Sequence, residues 1–236
     1  MDASPTFPAI EFLDLDHTAH RELFSGEDEV WTALARLAAY LNGLIESLAG
    51  ERLAGQVDER AALGELVYVA EGAKVEAHAT IKGPAWIGPG TIVRSGAYVR
   101  ENVIAGEGCM MGNSSEFKNC ILFDSCEVPH FNYVGDSILG HRAHLGAGVI
   151  CSNVRLDRGN VRVRDKDGCP LDTGLRKFGA IVGDRTEVGC NAVLNPGSLL
   201  GRDCILYPGT NWTGHLGDRQ IVKNQQSLHV STRRGT

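Results

Sequence analysis

The chain has 236 residues, of which 43% are hydrophobic and 22% are charged, a composition typical of a globular protein with a sizeable core. Its formal net charge of −6 argues against nucleic acid or an anionic membrane as the main partner. No apolar run approaches the ~20 residues of a membrane span. The N-terminus lacks the basic and apolar regions of a signal peptide.

The seven cysteines include no C-x-x-C pair. Several of them occupy small or apolar positions of a repeat described below: Cys109, Cys204 and Cys151. We therefore expect buried thiols in a reducing compartment, the cytoplasm, and not a disulfide framework or a zinc site.

Residues 1–66 are predicted to form an N-terminal arm and one amphipathic helix. Ser25 can cap free N–H groups at a helix start, and the acidic residues 27–29 suit the positive end of a helix dipole. Apolar residues then follow helical spacing on one face: Val30, Leu34, Leu37, Ala38, Leu41, Leu44, Ile45 and Leu48. Gly50 is a predicted stop. Such a face needs an apolar partner, either in the same chain or in another subunit.

A six-residue repeat dominates residues 67–211. A branched or bulky apolar residue recurs at every sixth position from Val69 to Phe123, and a small residue usually follows four positions later. Each hexad supplies a short strand and a turn, so three hexads form one 18-residue coil of a triangular prism. The apolar residues point inward and stack on neighbouring coils, as in other solenoids.

The repeat loses its phase at Pro129 and resumes at Tyr133. This predicts that residues 129–132 form a shortened rung, which holds His130 at a corner, outside the regular coil. A second interruption, at about 154–180, is rich in charges and is predicted to be a loop ejected from the coil. Residues 212–236 lose the period and are predicted to be a C-terminal tail.

The hexad pattern resembles the hexapeptide-repeat family, whose members fold as left-handed parallel β-helices and usually form trimers. The resemblance implies a mainly β fold with an N-terminal α-helical segment, and a homotrimer. A closer resemblance lies in the segments GNSSEFK, PHFNYVGDSILG and LGAGVICSN. They are similar to the acetyltransferase half of the bifunctional enzymes that make UDP-N-acetylglucosamine.

This closer resemblance implies a role for each matching residue. His130 matches the general base, Arg100 and Lys118 match a phosphate-binding pair, and Tyr133 matches an acceptor-binding tyrosine. His144 stands where the family has an asparagine that contacts the sugar. The positions that match acetyl-CoA contacts are Ala147, Asn153, Cys190 and Pro208. Pro129 replaces the family's glycine and Val154 its tyrosine, which affects the acceptor more than the acyl transfer itself.

Physical chemistry supports the same roles. Acylation of an amine requires a base, and an imidazole titrates near neutral pH. Arg100 and Lys118 are 18 residues apart, so they stack one coil apart and can converge on one anion. The structural alternatives are that His130 fills a turn and that both cations are solvated.

The sequence therefore favours an acetyl-CoA-dependent N-acetyltransferase that acts on an amino-sugar phosphate similar to glucosamine 1-phosphate, in UDP-N-acetylglucosamine biosynthesis. Acyl transfer requires no metal. One alternative is a zinc γ-class carbonic anhydrase-like β-helix that uses His130, His141 and His144. Another is a non-catalytic assembly module. Residues 1–66 are too short for a doubly wound domain, so we expect no nucleotidyl transfer from this chain.

Overall fold

The described chain consists of an N-terminal helical segment followed by a long stack of short strands. The computed structural model describes residues 6–24, 26, 28–48, 52–165, 167–225 and 229–232. Helix α1 spans Ala9–Phe12 and helix α2 spans Thr32–Glu46, with short 3-10 turns at Leu15–His17 and Arg21–Leu23 between them. Helix α2 begins later than predicted. The predicted cap Ser25 and stop Gly50 lie outside the described residues.

Twenty-seven strands follow in the described residues. In chain order they are β1 (Gln56–Val57), β2 (Ala62–Leu63), β3 (Val67–Val69), β4 (Lys74–Val75), β5 (Thr80–Ile81), β6 (Ala85–Ile87), β7 (Ile92–Val93), β8 (Tyr98–Val99), β9 (Val103–Ala105), β10 (Met110–Asn113), β11 (Glu116–Lys118), β12 (Cys120–Leu122), β13 (Glu127–His130), β14 (Tyr133–Gly135), β15 (Ile138–Leu139), β16 (His144–Leu145), β17 (Ile150–Cys151), β18 (Arg162–Arg164), β19 (Pro170–Asp172), β20 (Ala180–Val182), β21 (Glu187–Val188), β22 (Val193–Leu194), β23 (Ser198–Leu200), β24 (Ile205–Leu206), β25 (Asn211–Trp212), β26 (His215–Leu216) and β27 (Ile221–Val222).

Twenty-five of these strands build three parallel sheets that form the faces of a prism. Sheet 1 contains β1, β4, β7, β10, β13, β16, β21, β24 and β27; sheet 2 contains β2, β5, β8, β11, β14, β17, β22 and β25; sheet 3 contains β3, β6, β9, β12, β15, β20, β23 and β26. Successive strands along the chain pass from one sheet to the next. The predicted fold class, a mainly β, left-handed parallel β-helix with an N-terminal helical segment, is confirmed.

The predicted stacking of inward residues is confirmed up to Phe117. The apolar positions from Val69 to Phe117 are at most 1% exposed, and so are the small positions from Ala73 to Ser115. Hydrogen bonds between coils fix the register, for example Val99 opposite Phe117 and Ile81 opposite Val99. Apolar side chains from all three sheets therefore form one continuous core.

The predicted shortened rung at residues 129–132 is wrong, because the repeat shortens elsewhere. Ala105 lies opposite Leu122, one residue earlier than an 18-residue coil would place it, and Leu122 lies opposite Leu139. The missing residues are in the turns after β11 and β14, where sheet 2 passes to sheet 3. The inward residues of the next two strands are consequently Val128 and Val134, while Tyr133 points outward.

Sheet 3 is buried on both faces because the N-terminal segment covers its outer side. The outward side chains of five of its strands are 0% exposed: Ile104, Ile121, Ile138, Ile181 and Leu199. The apolar face of α2 lies in the same core cluster. Asp184 is fully buried and links the N-terminal segment to the β-helix, because its carboxylate accepts a hydrogen bond from the Asp14 N–H at 2.8 Å. The amphipathic helix therefore finds its partner within its own chain.

The stacked strands extend beyond residues 67–211 at both ends, from Gln56 to Val222. The segment between β17 and β20 does leave the coil, but it contains the antiparallel hairpin β18–β19. Its end returns to the core, where Phe178 is fully buried and lies 5.7 Å from the Trp31 ring. Among the described helices, none is long and apolar enough to cross a bilayer.

In the corrected register, Phe123 contacts the N-terminal segment that covers sheet 3. Phe123 points away from the interior, with its ring 5.5 Å from that of Phe24 and nearly perpendicular to it. Phe123→Ala should lower the free energy of unfolding by about 3–5 kcal/mol. A double-mutant cycle with Phe24→Ala should show a coupling of about 0.5–1.5 kcal/mol, measured by denaturant unfolding.

The inward residue Phe117 provides the control for this cycle. Phe117→Ala should be as destabilising, but it should show no coupling to Phe24→Ala, because Phe117 is stacked inside the prism. Coupling of Phe24 to Phe117 in place of Phe123 would contradict the register.

Candidate active site

The predicted base and three of the predicted acetyl-CoA contacts lie on one edge of the prism. This edge, called corner 1–2, is formed by the turns that join sheet 1 to sheet 2. Successive turns are hydrogen-bonded to one another: the Gly148 N–H donates to the His130 carbonyl at 3.0 Å, and the Asn191 N–H donates to the Ala147 carbonyl at 2.8 Å. The series continues through Cys190 and ends at Gly209, whose N–H donates to the Cys190 carbonyl. Pro208 immediately precedes Gly209.

His130 ends strand β13 and is exposed on the turn that follows it. Its backbone N–H donates to the buried Asn132 side chain at 3.0 Å, and the Asn132 amide donates to the Gly146 carbonyl at 2.7 Å. Phe131 adopts a left-handed conformation with a φ of 53° and is 62% exposed. No hydrogen bond joins the His130 imidazole to another described residue, so the ring is available to a ligand.

Asn132 belongs to the candidate site, and sequence reasoning missed it. It is 3% exposed and holds the turn that carries His130, in the place of the shortened rung that we predicted. An asparagine in a tight corner is a general turn signal. Its bond to the His130 N–H spans only two residues, whereas its bond to the Gly146 carbonyl follows from the coil register.

A second group of predicted residues lies on another edge. This edge, called corner 2–3, consists of the turns that join sheet 2 to sheet 3. There Lys118 Nζ lies 3.0 Å from the Asp136 carboxylate, and Asn119 donates to the same carboxylate at 2.9 Å. The Asn153 amide donates to Asp136 and, at 3.2 Å, to the Tyr133 hydroxyl. Asp136, which sequence reasoning did not single out, is therefore the centre of this network.

Arg100 also lies at corner 2–3, one coil before Lys118. The pairing of Val99 with Phe117 places Arg100 beside Lys118, as their spacing predicted. Its guanidinium donates to Glu116 at 2.9 Å and lies 3.5 Å from Glu101. Both cations thus have carboxylate partners in this structure, and an anionic ligand would have to replace or join those partners.

Sheet 2 separates the two corners, so one chain does not bring all the predicted residues to one point. Tyr133 is the link, because it directly follows the His130 turn and its hydroxyl contacts Asn153. Burial raises the pKa of Tyr133, which keeps this hydroxyl neutral and able to donate. Asn153 lies at corner 2–3, away from Ala147, Cys190 and Pro208.

His144 lies in strand β16 of sheet 1, and not in a turn as its position in the repeat predicted. Its register neighbours are Glu127 and Glu187, and its Nδ1 lies 2.7 Å from a Glu187 carboxylate oxygen. The two side chains are 34% and 55% exposed. They line a cavity of about 310 Å³ together with Cys190 and Pro208.

The three histidines of the zinc alternative do not converge. His141 lies in the turn from sheet 3 to sheet 1, where its Nδ1 is 2.9 Å from the Asp124 carbonyl and its ring stacks on His17 at 3.7 Å. His130 lies at corner 1–2, and His144 lies within a strand of sheet 1. Within the described ranges, no group of three or more His, Cys, Asp or Glu side chains could hold a metal ion.

Most of the thiols are buried, as predicted. Five cysteines are buried and two, Cys169 and Cys190, are exposed, and none of the seven forms a disulfide. Burial raises the pKa of Cys151 to about 12, so this thiol is unreactive at neutral pH.

Comparison with known proteins finds one matching family model and several curated relatives. Residues 81–168 match the family described as the GMPPB C-terminal domain. The chain is 35% identical over 182 residues to the bifunctional protein GlmU of Methanococcus maripaludis, covering 75% of this chain and 43% of that protein. The resemblance to the bifunctional family is confirmed.

Two further similarities have comparable extent. The bifunctional sugar-1-phosphate nucleotidylyltransferase/acetyltransferase of Sulfurisphaera tokodaii is 31% identical over 180 residues, covering 69% of this chain and 45% of that protein. The chain thus spans less than half the length of these curated relatives. The solved perosamine N-acetyltransferase from Caulobacter crescentus is 20% identical, covering 71% of this chain and 49% of that one. Its TM-score of 0.29 is too low to compare sites.

The network around Asp136 predicts a large stability effect. Asp136→Ala should lower the free energy of unfolding by about 3–5 kcal/mol, because it leaves the Lys118 ammonium, only 19% exposed, without its partner. The control is Asp203→Ala, which removes an exposed ion pair with Arg185 and should cost less than about 1 kcal/mol. Similar losses for the two variants in urea unfolding would contradict the role of Asp136.

Proposed function

We propose that the chain is an acetyl-CoA-dependent N-acetyltransferase whose acceptor is an amino sugar that carries a phosphate. The observation that carries this proposal is the exposed His130 imidazole on a corner turn, next to the strand whose Tyr133 contacts the Asp136–Lys118 network through Asn153. The relative from Sulfurisphaera tokodaii, which is named as a bifunctional nucleotidylyltransferase/acetyltransferase, supports the acyl transfer. A thiol-release assay with acetyl-CoA and a panel of amino-sugar phosphates tests it directly.

In this proposal His130 is the general base. The acceptor nitrogen attacks the thioester carbonyl, and the imidazole removes a proton from the nitrogen as the new C–N bond forms. The C–S bond then breaks, and the thiolate of CoA takes a proton. A neutral imidazole suits this exchange because it accepts and returns protons near neutral pH.

Acetyl-CoA would extend along corner 1–2. Ala147, Cys190 and Pro208 follow His130 there in successive coils, so the thioester can reach the imidazole while the rest of the molecule follows the edge. Asn153 belongs to the opposite corner, where its amide is better placed to orient the acceptor through Tyr133.

Arg100 and Lys118 would bind the acceptor phosphate. The Arg100 guanidinium can exchange Glu116 and Glu101 for two phosphate oxygens, whereas Lys118 stays oriented by the buried Asp136.

We further propose a homotrimer, in which corner 2–3 of one subunit lies against corner 1–2 of the next and brings the two groups of residues together. Light scattering measures the number of chains.

His130→Ala should lower kcat by about 10²–10⁴-fold, because it removes the base, and should leave the melting temperature unchanged. The matched control is His78, an exposed histidine in the same line of turns but several coils away. His78→Asn should retain wild-type turnover. A loss below tenfold for His130→Ala would exclude His130 as the base.

Arg100→Ala should weaken acceptors that carry a phosphate by about 1.5–3 kcal/mol in kcat/KM, the range for a charge-assisted hydrogen bond. The KM for acetyl-CoA should hardly change. Arg185→Ala removes an arginine that is also paired to a carboxylate but lies in another corner, so it serves as the control. Equal losses with phosphorylated and unphosphorylated amino sugars would show that Arg100 does not bind the phosphate.

A further inference from the structure

A histidine between two carboxylates lies on the outer face of sheet 1. The outward residues of four consecutive strands are Met110, Glu127, His144 and Glu187, and Ile205 follows on the next strand. The two flanking carboxylates are exposed, and His144 is about one-third exposed. Met110 and Ile205 are uncharged, so this part of the face is negatively charged apart from the histidine.

The Glu187 carboxylate fixes the orientation of the imidazole. Because it accepts a hydrogen bond from Nδ1–H at 2.7 Å, Nε2 of the neutral ring is left as a proton acceptor. This pair therefore has the features of a general base with its orienting group.

His144 lies on the strand next to the one that His130 ends. Glu127 lies directly opposite His144, and His130 is three residues further along β13, which corresponds to about 10 Å along the strand. The turn after His144 also supports the His130 turn, through the Gly148 N–H. A ligand bound at His130 can thus extend over the face that carries His144.

We infer that His144, held by Glu187, removes the first of two protons that the acceptor nitrogen must lose. This inference rests on the proposed acetyl transfer. An amine with a pKa near 8 is mostly an ammonium ion at pH 7, and such an ion cannot attack a thioester. Its N–H bond transfers a proton to Nε2 of His144, giving a free amine and an imidazolium that later releases the proton to solvent. The amine then attacks, and its second proton passes to His130.

The charges around His144 suit this step. Glu127 on β13 and Glu187 on β21 face it from the neighbouring strands and attract an ammonium group. The adjoining cavity also contains Cys190 and Tyr207, and the Lys223 ammonium lies 5.4 Å from the Tyr207 ring centre. Glu187 is a positioning residue here, because it acts through the imidazole.

The test compares His144→Asn, Glu187→Gln and His130→Ala with the wild type across pH. kcat/KM is measured at pH 6.5, 7.5 and 9.5 with acetyl-CoA and the best acceptor among glucosamine 1-phosphate, glucosamine 6-phosphate and a nucleotide-linked amino sugar. His144→Asn should lose about tenfold or more at pH 6.5, and should return to within about threefold of wild type at pH 9.5, where the amine is already neutral. Glu187→Gln should show the same trend with a smaller loss, whereas His130→Ala should stay impaired at every pH.

Melting temperatures and circular dichroism at each pH separate folding from activity, and Asp203→Asn is the control for a carboxylate paired elsewhere. A loss of equal size at all three pH values would assign His144 to contact alone and overturn its role as a base. Full activity of His144→Asn at pH 6.5 would also overturn it. If the wild type releases no thiol with any acceptor, the acetyl transfer itself fails, and that result is visible before any variant is made.

Discussion

The backbone hydrogen bonds between successive coils determine where every side chain of the site lies. Each strand of the three parallel sheets pairs with the strand of the coil before it, the coil after it, or both. No coil can bury its apolar face alone, so the inward residues of neighbouring coils must stay in register. When a turn loses one residue, every later inward residue lies one position earlier in the sequence than the six-residue repeat would place it. The turns after Phe117 and Val134 do so, and the outward set changes with them.

This register explains why the two shortened turns and the Asp136 network occur together. Shortening removes a residue from corner 2–3 in two successive coils, next to Lys118 and Asp136. Here a buried carboxylate is compensated by an ammonium group and by two amides, which makes its burial tolerable. The interruption of the repeat therefore does mark a polar site, but one corner away from His130.

The sequence was sufficient to predict the fold, because an apolar residue that recurs at every sixth position is a strong signal of stacked coils. It also placed Arg100 beside Lys118, since that placement requires only an intact 18-residue coil. It failed where the period changed, because Phe123 and Tyr133 are apolar enough to pass as inward residues, while Val128 and Val134 have the same character. Asn132 and Glu187 were missed for a different reason: their partners are 14 and 43 residues away, and only the coil register brings them together.

The helical cover restricts where a ligand or a second chain can bind. The N-terminal segment buries the outer face of sheet 3, so the parallel prism presents only sheets 1 and 2 to its surroundings. Corner 1–2, the edge between those two open faces, carries His130. The Glu127–His144–Glu187 column occupies one open face and Tyr133 the other. A substrate at His130 is consequently in reach of both faces, and the residues on the far side of sheet 2 reach it only through Tyr133 or through a neighbouring chain. The same segment that stabilises the solenoid thus leaves corner 1–2, which carries the base, as the edge between the two open sheet faces.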